Sequence, residues 1–553
     1  MYSRPRLFRS LALATLGSTA LAGCMVGPNY KGPPAVVTEA VAAPTFHRAE
    51  DATADPPPSR WWVALGDAEL DHLVDAAFAA SPDLEAATAR LRQSRANLGK
   101  DRANLLPTTN ASALYLHSKG LTGALGGTLS GESATTGASS SSAAEAEAAS
   151  NSTLDLYDVG MDATWQLDLF GGKRRAVEGD KAASQAVQAN LEDAEVSLAA
   201  EVAQDYVTLR DLQARLALAQ HNADVEGRML GLTKLQRQGG AATDLDVERL
   251  VNQFQSTQAQ AVPLKAQIAD QLDRLAILTG RAPGDLDQEL ATPTAVPLPP
   301  KVVAVGDPAS LLRRRPDVRA AERTIQQKNA LIGQRTADLF PKVQLLGNVG
   351  YSSSELSSLF TPASFSYIVA PVLQWSPFDF GRTSANIREA KGERAEAMAN
   401  YRKTVLGALN DAETALAMYG RQRESLASLS QVEQSADRAS ALTALKVKGG
   451  TATTLDQLSA ESTRVAAQTN VSQAKAQLTE DYIRLQKSLG LGWTAPADDK
   501  AASLSIARAG GVDNLGFKMK VGSRRLRWRI SAAMWRPSGP RPGPGWMRTS
   551  RPR

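Results

Sequence analysis

The chain has 553 residues and a formal net charge of +5. Residues 501–553 hold twelve lysines and arginines and a single aspartate, a net charge of +11, so the first 500 residues carry −6. The basic isoelectric point of about 9.1 is therefore a property of the C-terminal segment and does not indicate nucleic-acid binding. Cys24 is the only cysteine, which excludes an intramolecular disulfide even in an oxidising compartment.

The chain begins with a processing signal. Three arginines precede a short apolar run at residues 11–21, and the tetrapeptide Leu21-Ala22-Gly23-Cys24 follows at once. These residues resemble a bacterial lipobox, which predicts a lipoprotein signal peptide over residues 1–23 and acyl chains, palmitate among them, on Cys24. The alternative is an ordinary signal peptide with an incidental cysteine. Met25, in place of the aspartate that commonly marks inner-membrane retention, favours sorting to the outer membrane.

The mature sequence contains two copies of one unit. Pro82-Asp83 recurs 234 residues later as Pro316-Asp317, and from Trp165 onwards the offset is 210, which carries Trp165 onto Trp375. The copies therefore differ by one insertion of 24 residues. A unit of about 200 residues is too long for a solenoid repeat, so the duplication predicts two pseudo-symmetric halves. We place the first repeat at 67–290 and the second at 307–492.

Helices and linkers come first in each copy. The proline-rich residues 24–66 predict an extended, lipid-anchored N-terminal segment. Apolar spacing predicts a short helix over 68–80, and Ser81-Pro82 starts a second helix that runs to about Leu105. In the second copy the equivalent starts at Asp307 or at Arg315-Pro316.

Two-residue alternation then replaces the helical period. Residues 157–168 alternate strictly between apolar and polar or small side chains, and residues 342–376 contain two further runs. The pattern predicts one β-hairpin at about 108–168, with a long flexible outer loop at 119–152, and another at about 342–376. Trp165 and Trp375 would lie at a membrane interface. A half-buried soluble sheet is the alternative.

Four strands cannot close a transmembrane barrel, because the smallest barrels have about eight. No apolar run of 18 or more residues follows the signal, so no helix is expected to cross a bilayer. A membrane-spanning form of this chain would therefore use strands and would have to oligomerise.

Long helices follow each hairpin. Residues 173–238 and 382–448 contain no proline and predict rods on the order of 100 Å. In the first copy the returning helix carries apolar residues at a mean spacing of 3.5, typical of a coiled coil, and Pro263 should kink or break it. Tight tips are predicted at 238–244 and 448–454. Residues 493–553 lack periodicity and predict a basic, disordered tail, either functional or the product of a shifted reading frame.

Several features together resemble the outer-membrane efflux factors of the TolC superfamily, over residues 12–492. They are the lipobox, the segment Val26-Gly27-Pro28-Asn29-Tyr30, the duplicated helix–hairpin–helix order and the Gly-Gly tips. The sequence is most similar to the NodT-type lipoprotein branch. This resemblance implies a mainly α fold with a transmembrane β part: a homotrimer with a 12-stranded β-barrel, four strands per chain, continued by a coiled-coil periplasmic tunnel.

The same resemblance implies function and partners. The chain would be the passive outer-membrane duct of a tripartite pump for drugs or other small toxic compounds. Its partners would be outer-membrane lipid, a periplasmic membrane-fusion adaptor and an inner-membrane pump of the RND type. The helical tips would meet the adaptor through Gly239, Gly240, Thr243, Gly449, Gly450 and Thr453.

The resemblance also implies a gate. Acidic residues after the second tip form a constriction in better-known members, and alignment on Gly450 places Asp456 at one such position, with Asp246 as its first-copy equivalent. The next acidic position falls on Ser459, and an arginine found in some members falls on Ala452, so this sequence departs from that gate. The alternative is that both aspartates only stabilise the first turn of a helix.

Enzymatic function is not indicated. The four histidines are scattered, and none of the common hydrolase, metalloprotease or phosphate-binding motifs occurs in its required context. Carboxylates such as Glu192 and Asp193 are interpreted as a solvated face or water-filled lumen. We therefore predict no catalytic, cofactor-binding or metal-binding residues. The alternatives to an efflux duct are the exit duct of a type I protein secretion system and a non-channel lipoprotein.

Overall fold

The computed structural model describes residues 25–36, 38–49, 52–119 and 153–493. The predicted signal peptide, Cys24, nearly all of the first hairpin's outer loop and all but the first residue of the basic tail lie outside the described residues. The segment before the first repeat is not wholly extended. It contains the short helix α1 (Thr38–Ala42), the strand β1 (Ala52–Thr53) and a 3-10 turn at Trp61–Leu65.

The helices recur in the same order in the two copies, and all but the first of each copy have equal lengths. The first copy contains α2 (Ala68–Ala80), α3 (Pro82–Ala103), α4 (Gly172–Gln238) and α5 (Asp244–Leu278). A short strand, β4 (Val303–Ala304), pairs in parallel with β1. The second copy contains α6 (Pro308–Arg314), α7 (Pro316–Ala337), α8 (Arg382–Lys448) and α9 (Thr454–Ser488). Both long rods have 67 residues and both returning helices have 35, so the duplication extends to the element bounds.

Four strands form one antiparallel sheet. They are β2 (Thr108–Lys119), β3 (Thr153–Leu167), β5 (Lys342–Ser353) and β6 (Phe365–Gln374), in the order β2-β3-β5-β6. Each copy supplies one hairpin, as its alternation predicts. The central pairing of β3 with β5 joins the second strand of the first copy to the first strand of the second copy.

The main hydrophobic core lies where the two copies meet, away from the helical tips. Trp61 and Trp62 from the 3-10 turn pack there with Tyr206 of α4 and Tyr482 of α9. The N-terminal segment is therefore part of the core, because its aromatic side chains fill space between helices from both repeats.

The returning helix α5 has the predicted coiled-coil seam. Five of the eight predicted seam residues are buried, namely Leu250, Thr257, Leu264, Leu275 and Leu278, and Phe254, Ala261 and Ile268 are half-buried. The prediction of a break at Pro263 is wrong, since one helix runs through that residue. Among the described residues, no helix is long and apolar enough to cross a membrane.

Candidate functional site

The register of the sheet places apolar residues from all four strands in rows on one face. Residues paired across antiparallel strands point to the same side. One such row contains Ala113, Val159, Tyr351 and Phe365, and the next contains Ala111, Met161, Val349 and Tyr367. The alternating apolar residues of the two hairpins therefore form one continuous apolar surface.

Nothing in the described part of the chain covers this apolar face. Met161 is 50% exposed, Val349 44% and Tyr367 72%. The opposite face carries mostly polar residues, and one of its pairs is a hydrogen bond from Asn348 Nδ2 to Asp162 Oδ1 at 2.7 Å. An apolar face of this size is unfavourable in water, so the two faces suit lipid on one side and water on the other.

Among the described residues, both edges of the sheet are unpaired. The outer strands β2 and β6 each have one neighbour, so a row of backbone donors and acceptors is left open along each edge. An open edge is a template for pairing with another chain. β2 is the first strand of the first copy, and β6 is the last strand of the second copy. A pairing of β6 with β2 would therefore repeat, between chains, the joint that β3 and β5 form within the chain.

Each predicted interface tryptophan is fixed at the junction of strand and helix. Trp165 Nε1 donates a hydrogen bond to the Leu105 carbonyl at 2.9 Å, and Trp375 Nε1 donates to the Leu339 carbonyl at 3.2 Å. Indole rings with an apolar body and one satisfied donor are typical of membrane interfaces.

A pair of aromatic rings joins the two copies at the same junction of strands and helices. Phe170 and Phe340 stack with ring centroids 4.5 Å apart. Phe380, the equivalent of Phe170, is fully exposed and has a positive φ of 53°, the only described non-glycine residue with such a backbone. Leu106, the equivalent of Phe340, is 64% exposed. Phe380 and Leu106, which would make the same contact a second time, therefore have no such partner in the part of the chain that the structure describes.

An N-terminal strap, residues 25–30, is bound at this junction by one arginine. Arg175 is 1% exposed, and its guanidinium donates to the Val26 carbonyl at 3.1 Å, the Gly27 carbonyl at 3.2 Å and Asn29 Oδ1 at 2.7 Å. Glu178 supplies the counter-charge at 2.6 Å. A fully bonded guanidinium can be buried at little cost, so the strap and α4 form one unit.

Further contacts fix the strap from both sides. The Val26 N–H donates to the Phe170 carbonyl at 3.1 Å, and Asn329 Nδ2 donates to the Pro28 carbonyl at 2.8 Å. Sequence reasoning missed Arg175. A signal existed, because its second-copy equivalent is Ala385, and a charged residue that only one copy retains indicates a contact that only one copy makes.

The helical tips have the same geometry in both copies. Gly239 and Gly449 follow the long rods, and the next glycines, Gly240 and Gly450, have φ of 77° and 72°. A positive φ is the conformation in which glycine has no steric penalty, so the rod can end and the chain can reverse.

Each returning helix begins with a capping box. The Thr243 N–H donates to Asp246 Oδ2 at 3.0 Å, and the Asp246 N–H donates to Thr243 Oγ1 at 3.2 Å. The second tip repeats both bonds between Thr453 and Asp456, at 2.7 and 3.1 Å. The bonds from threonine hold the pKa of both aspartates below the usual carboxyl range. Both predicted gate residues thus serve as caps; a gating role remains a prediction.

One contact distinguishes the two tips. Arg237 forms an ion pair with Asp244 across the first tip, with one hydrogen bond of 2.8 Å. The second copy has Val447 and Thr454 at these positions, so the pair is lost. Sequence reasoning missed this difference, which a comparison of the copies residue by residue would have found.

The interpretation of Glu192 as solvated is wrong. Its side chain is buried and pairs with Arg319 of α7 at 2.6 Å. Asp193 is half-buried, and burial raises the pKa of its carboxyl. The carboxylate of Glu192 therefore joins the two repeats instead of facing a lumen.

A sheet with one lipid-compatible face, continued by rods of about 100 Å, defines a membrane channel subunit with a long helical extension. The family model for outer membrane efflux proteins matches residues 73–281 and 308–491. The chain belongs to this family. It is therefore an outer-membrane component of an efflux pump in a Gram-negative bacterium, with a long periplasmic part, and it is a passive channel protein, not an enzyme.

Related proteins cover nearly the whole chain. Nodulation protein T of Rhizobium leguminosarum bv. trifolii is 28% identical over 484 residues, 87% of this chain and 97% of that protein. The pyoverdine export outer membrane protein OpmQ of Pseudomonas putida is 30% identical over 445 residues, 79% of this chain and 89% of that protein. The solved outer-membrane channel OprN superposes with a TM-score of 0.74 at 32% identity, covering 85% of this chain and 100% of that one. The predicted resemblance, fold class and efflux function are confirmed.

Proposed function

We propose that three copies of this chain assemble into one exit duct, in which twelve strands close into a ring and the rods form a tunnel across the periplasm. The observation that carries the proposal is the unpaired contact at Phe380. The fold already forms this contact once, between Phe170 and Phe340. A neighbouring chain that repeats the joint would bring Leu106 of the partner subunit against Phe380.

The sheet edges support the same arrangement. If β6 pairs with β2 of the next chain as β3 pairs with β5, the interface is head-to-tail, and such interfaces generate rings when the rotation closes. Three chains give twelve strands, above the minimum of about eight. The apolar rows would then continue around the outside of the ring, where lipid covers them.

The tips are the proposed docking surface for a periplasmic adaptor, through Gly239, Gly240 and Thr243 and their equivalents. The adaptor in turn would connect the duct to an inner-membrane pump of the RND type, which supplies the energy. Support comes from the exposed positions of the tip residues at the ends of long rods, each followed by a capped returning helix.

Lipid attachment at Cys24 is also proposed. The next residues along the chain, the N-terminal strap, are bound at the junction of sheet and helices, level with Trp165. Acyl chains on Cys24 would therefore start close to the membrane interface, and no long linker would be needed. Anchoring by several acyl chains is firm and would hold the chain before the ring closes.

The proposed cargo is drugs or other small toxic compounds. A wide passive conduit selects little by itself, so the inner-membrane partner would determine the substrate. The related OpmQ exports pyoverdine according to its name, a cargo unlike a solvent or drug, and this difference fits a duct that does not discriminate.

Efflux is tested by the accumulation of a fluorescent efflux substrate in cells lacking this gene. We expect higher accumulation in the deletion strain and recovery with the wild-type copy, while a Cys24→Ala copy reports whether the lipid matters. Unchanged accumulation together with loss of a secreted protein from the medium would instead support a type I secretion duct.

Assembly is tested with a Leu106→Cys, Phe380→Cys double variant in a Cys24→Ala background. Oxidation should join three chains covalently, because the two thiols would meet only between subunits. Either single variant is the control and should stay a single chain. Failure to cross-link in membranes where efflux is intact would contradict the proposed interface.

A further inference from the structure

A cavity of about 230 Å³ lies between the N-terminal segment and the helices, away from the sheet and the tips. Three aromatic side chains line it: Trp62 of the 3-10 turn, Phe78 of α2 and Trp493 beyond α9. Glu195 of α4 contributes the carboxylate. Aromatic walls around one acidic group form a recognisable kind of small-molecule site.

The cations around the cavity already have partners. Arg60 is held by both carboxylate oxygens of Asp75 at 2.8 Å and lies over Trp62. Arg319 pairs with Glu192 at 2.6 Å and lies over the ring of Trp493, 5.1 Å from its centroid. After these two pairs are formed, the carboxylate of Glu195 is the remaining charge at the cavity.

Glu195 itself lacks a donor. No hydrogen bond or ion pair joins its side chain to any residue in the part of the chain that the structure describes. Burial, with a smaller contribution from the charge of Glu192, raises the pKa of Glu195 to about 7. A half-buried carboxylate without a donor is unfavourable when ionised, so an added cation would stabilise it.

The cavity wall holds a second unsatisfied group. The indole N–H of Trp62 is buried without an acceptor. Buried polar groups are normally bonded, and each exception calls for a partner such as a water molecule or a ligand. The cavity thus combines apolar walls with an unpaired acceptor, and its lining residue Trp62 carries an unpaired donor.

We propose that this cavity binds a small organic cation, an ammonium group on a short aromatic or aliphatic body. The ammonium would bond the carboxylate of Glu195, and the body would lie between Trp62, Phe78 and Trp493. This site is separate from the duct, so its success or failure does not depend on the proposed function.

The test uses the full chain in detergent, 2-phenylethylammonium as the probe and calorimetry with tryptophan fluorescence as the readouts. At a pH above the raised pKa of Glu195, we expect saturable binding with a dissociation constant on the order of 0.1–1 mM. The neutral analogue 2-phenylethanol should bind at least about tenfold more weakly, since it cannot pair with the carboxylate.

Two variants locate the binding. Glu195→Gln should weaken binding of the ammonium by at least about tenfold and leave binding of the alcohol unchanged. Trp493→Leu should weaken both ligands severalfold. Glu201→Gln, at an exposed glutamate of the same helix, is the matched control and should change neither. Equal affinity of wild type for the two ligands, or unchanged ammonium binding in Glu195→Gln, would overturn the proposal. The wild-type comparison of the ligands holds even if a variant fails to fold.

Discussion

Thr453 and Asp456 each satisfy the other's backbone N–H, and Thr243 and Asp246 do the same 210 residues earlier. The carboxylate proposed to gate the duct is therefore also the group that starts its helix. Capping and gating make different demands on this group, because a cap needs only its local bonds whereas a gate needs its charge in the lumen.

The first prediction separates the two roles. If Asp456 gates, Asp456→Ala should raise pore conductance at low voltage in planar bilayers. Thr453→Ala removes half of the cap and lowers the stability of the helix by about 1 kcal/mol. Because it keeps the charge of Asp456, it should leave conductance unchanged. Asp246→Ala applies the same test to the first-copy candidate at the other tip. Unchanged conductance in Asp456→Ala would mean that Asp456 acts only as a helix cap.

The second prediction concerns pH. Both tip aspartates have a lowered pKa in the folded chain, so their contribution to tip stability is present above the ordinary carboxyl pKa of about 3.9. It is lost as the pH falls through the lowered values. The protection of the Asp456 amide against hydrogen exchange, measured relative to the intrinsic rate at each pH, should therefore fall at acid pH. Thr453→Ala should abolish most of that extra pH dependence, and a dependence that survives it would contradict the cap.

The third prediction tests the N-terminal strap. Arg175→Met should free residues 25–30, because three acceptors lose their donor and Glu178 loses its counter-charge. We expect a loss of about 3 kcal/mol of local stability and rapid proteolysis of the N-terminal segment. Arg388→Met, at an exposed position of α8, is the control. Equal proteolysis of the two variants would show that the strap is held in another way.

The fourth prediction concerns the joint between the two hairpins. A Cβ atom on Gly350 would lie 2.8 Å from both Gly160 Cα and the Val159 carbonyl oxygen. Gly350→Val should therefore separate β3 from β5 and reduce the amount of chain in the outer-membrane fraction. Gly347→Ala is the matched control, since its Cβ would meet Ala163 Cβ at an ordinary 3.7 Å. Normal membrane assembly of Gly350→Val would disprove the close packing.

The fifth prediction uses the difference between the returning helices. Pro263 removes one backbone hydrogen bond inside α5, and Gln473 occupies the equivalent place in α9. Pro263→Ala should slow hydrogen exchange in α5, whereas Gln473→Pro should destabilise α9 by about 3 kcal/mol. Faster exchange in Pro263→Ala would mean that the proline serves a packing role.

Much of the fold could be predicted because its signals are local. Capping residues, glycines and the change from a helical to a two-residue period act within a few residues, and they placed both tips and all four main strands. Pro263 was the exception: its effect on a helix depends on packing against neighbours, and the coiled-coil seam of α5 keeps that helix continuous.

Contacts between distant segments were the unpredictable part of the site. Arg175 and Asn29 are 146 residues apart, and Glu192 and Arg319 are 127 apart, so no local pattern reports either pair. The exposed position of Phe380 also appears only when the copies are packed together. The sequence by itself determined the duplication, the main helices and strands and the two tips, since these follow from short-range backbone and side-chain preferences. Only the tertiary structure decided which charges are buried, where the strap binds and which half of a repeated contact is left open, because these depend on which distant surfaces exclude water from each other.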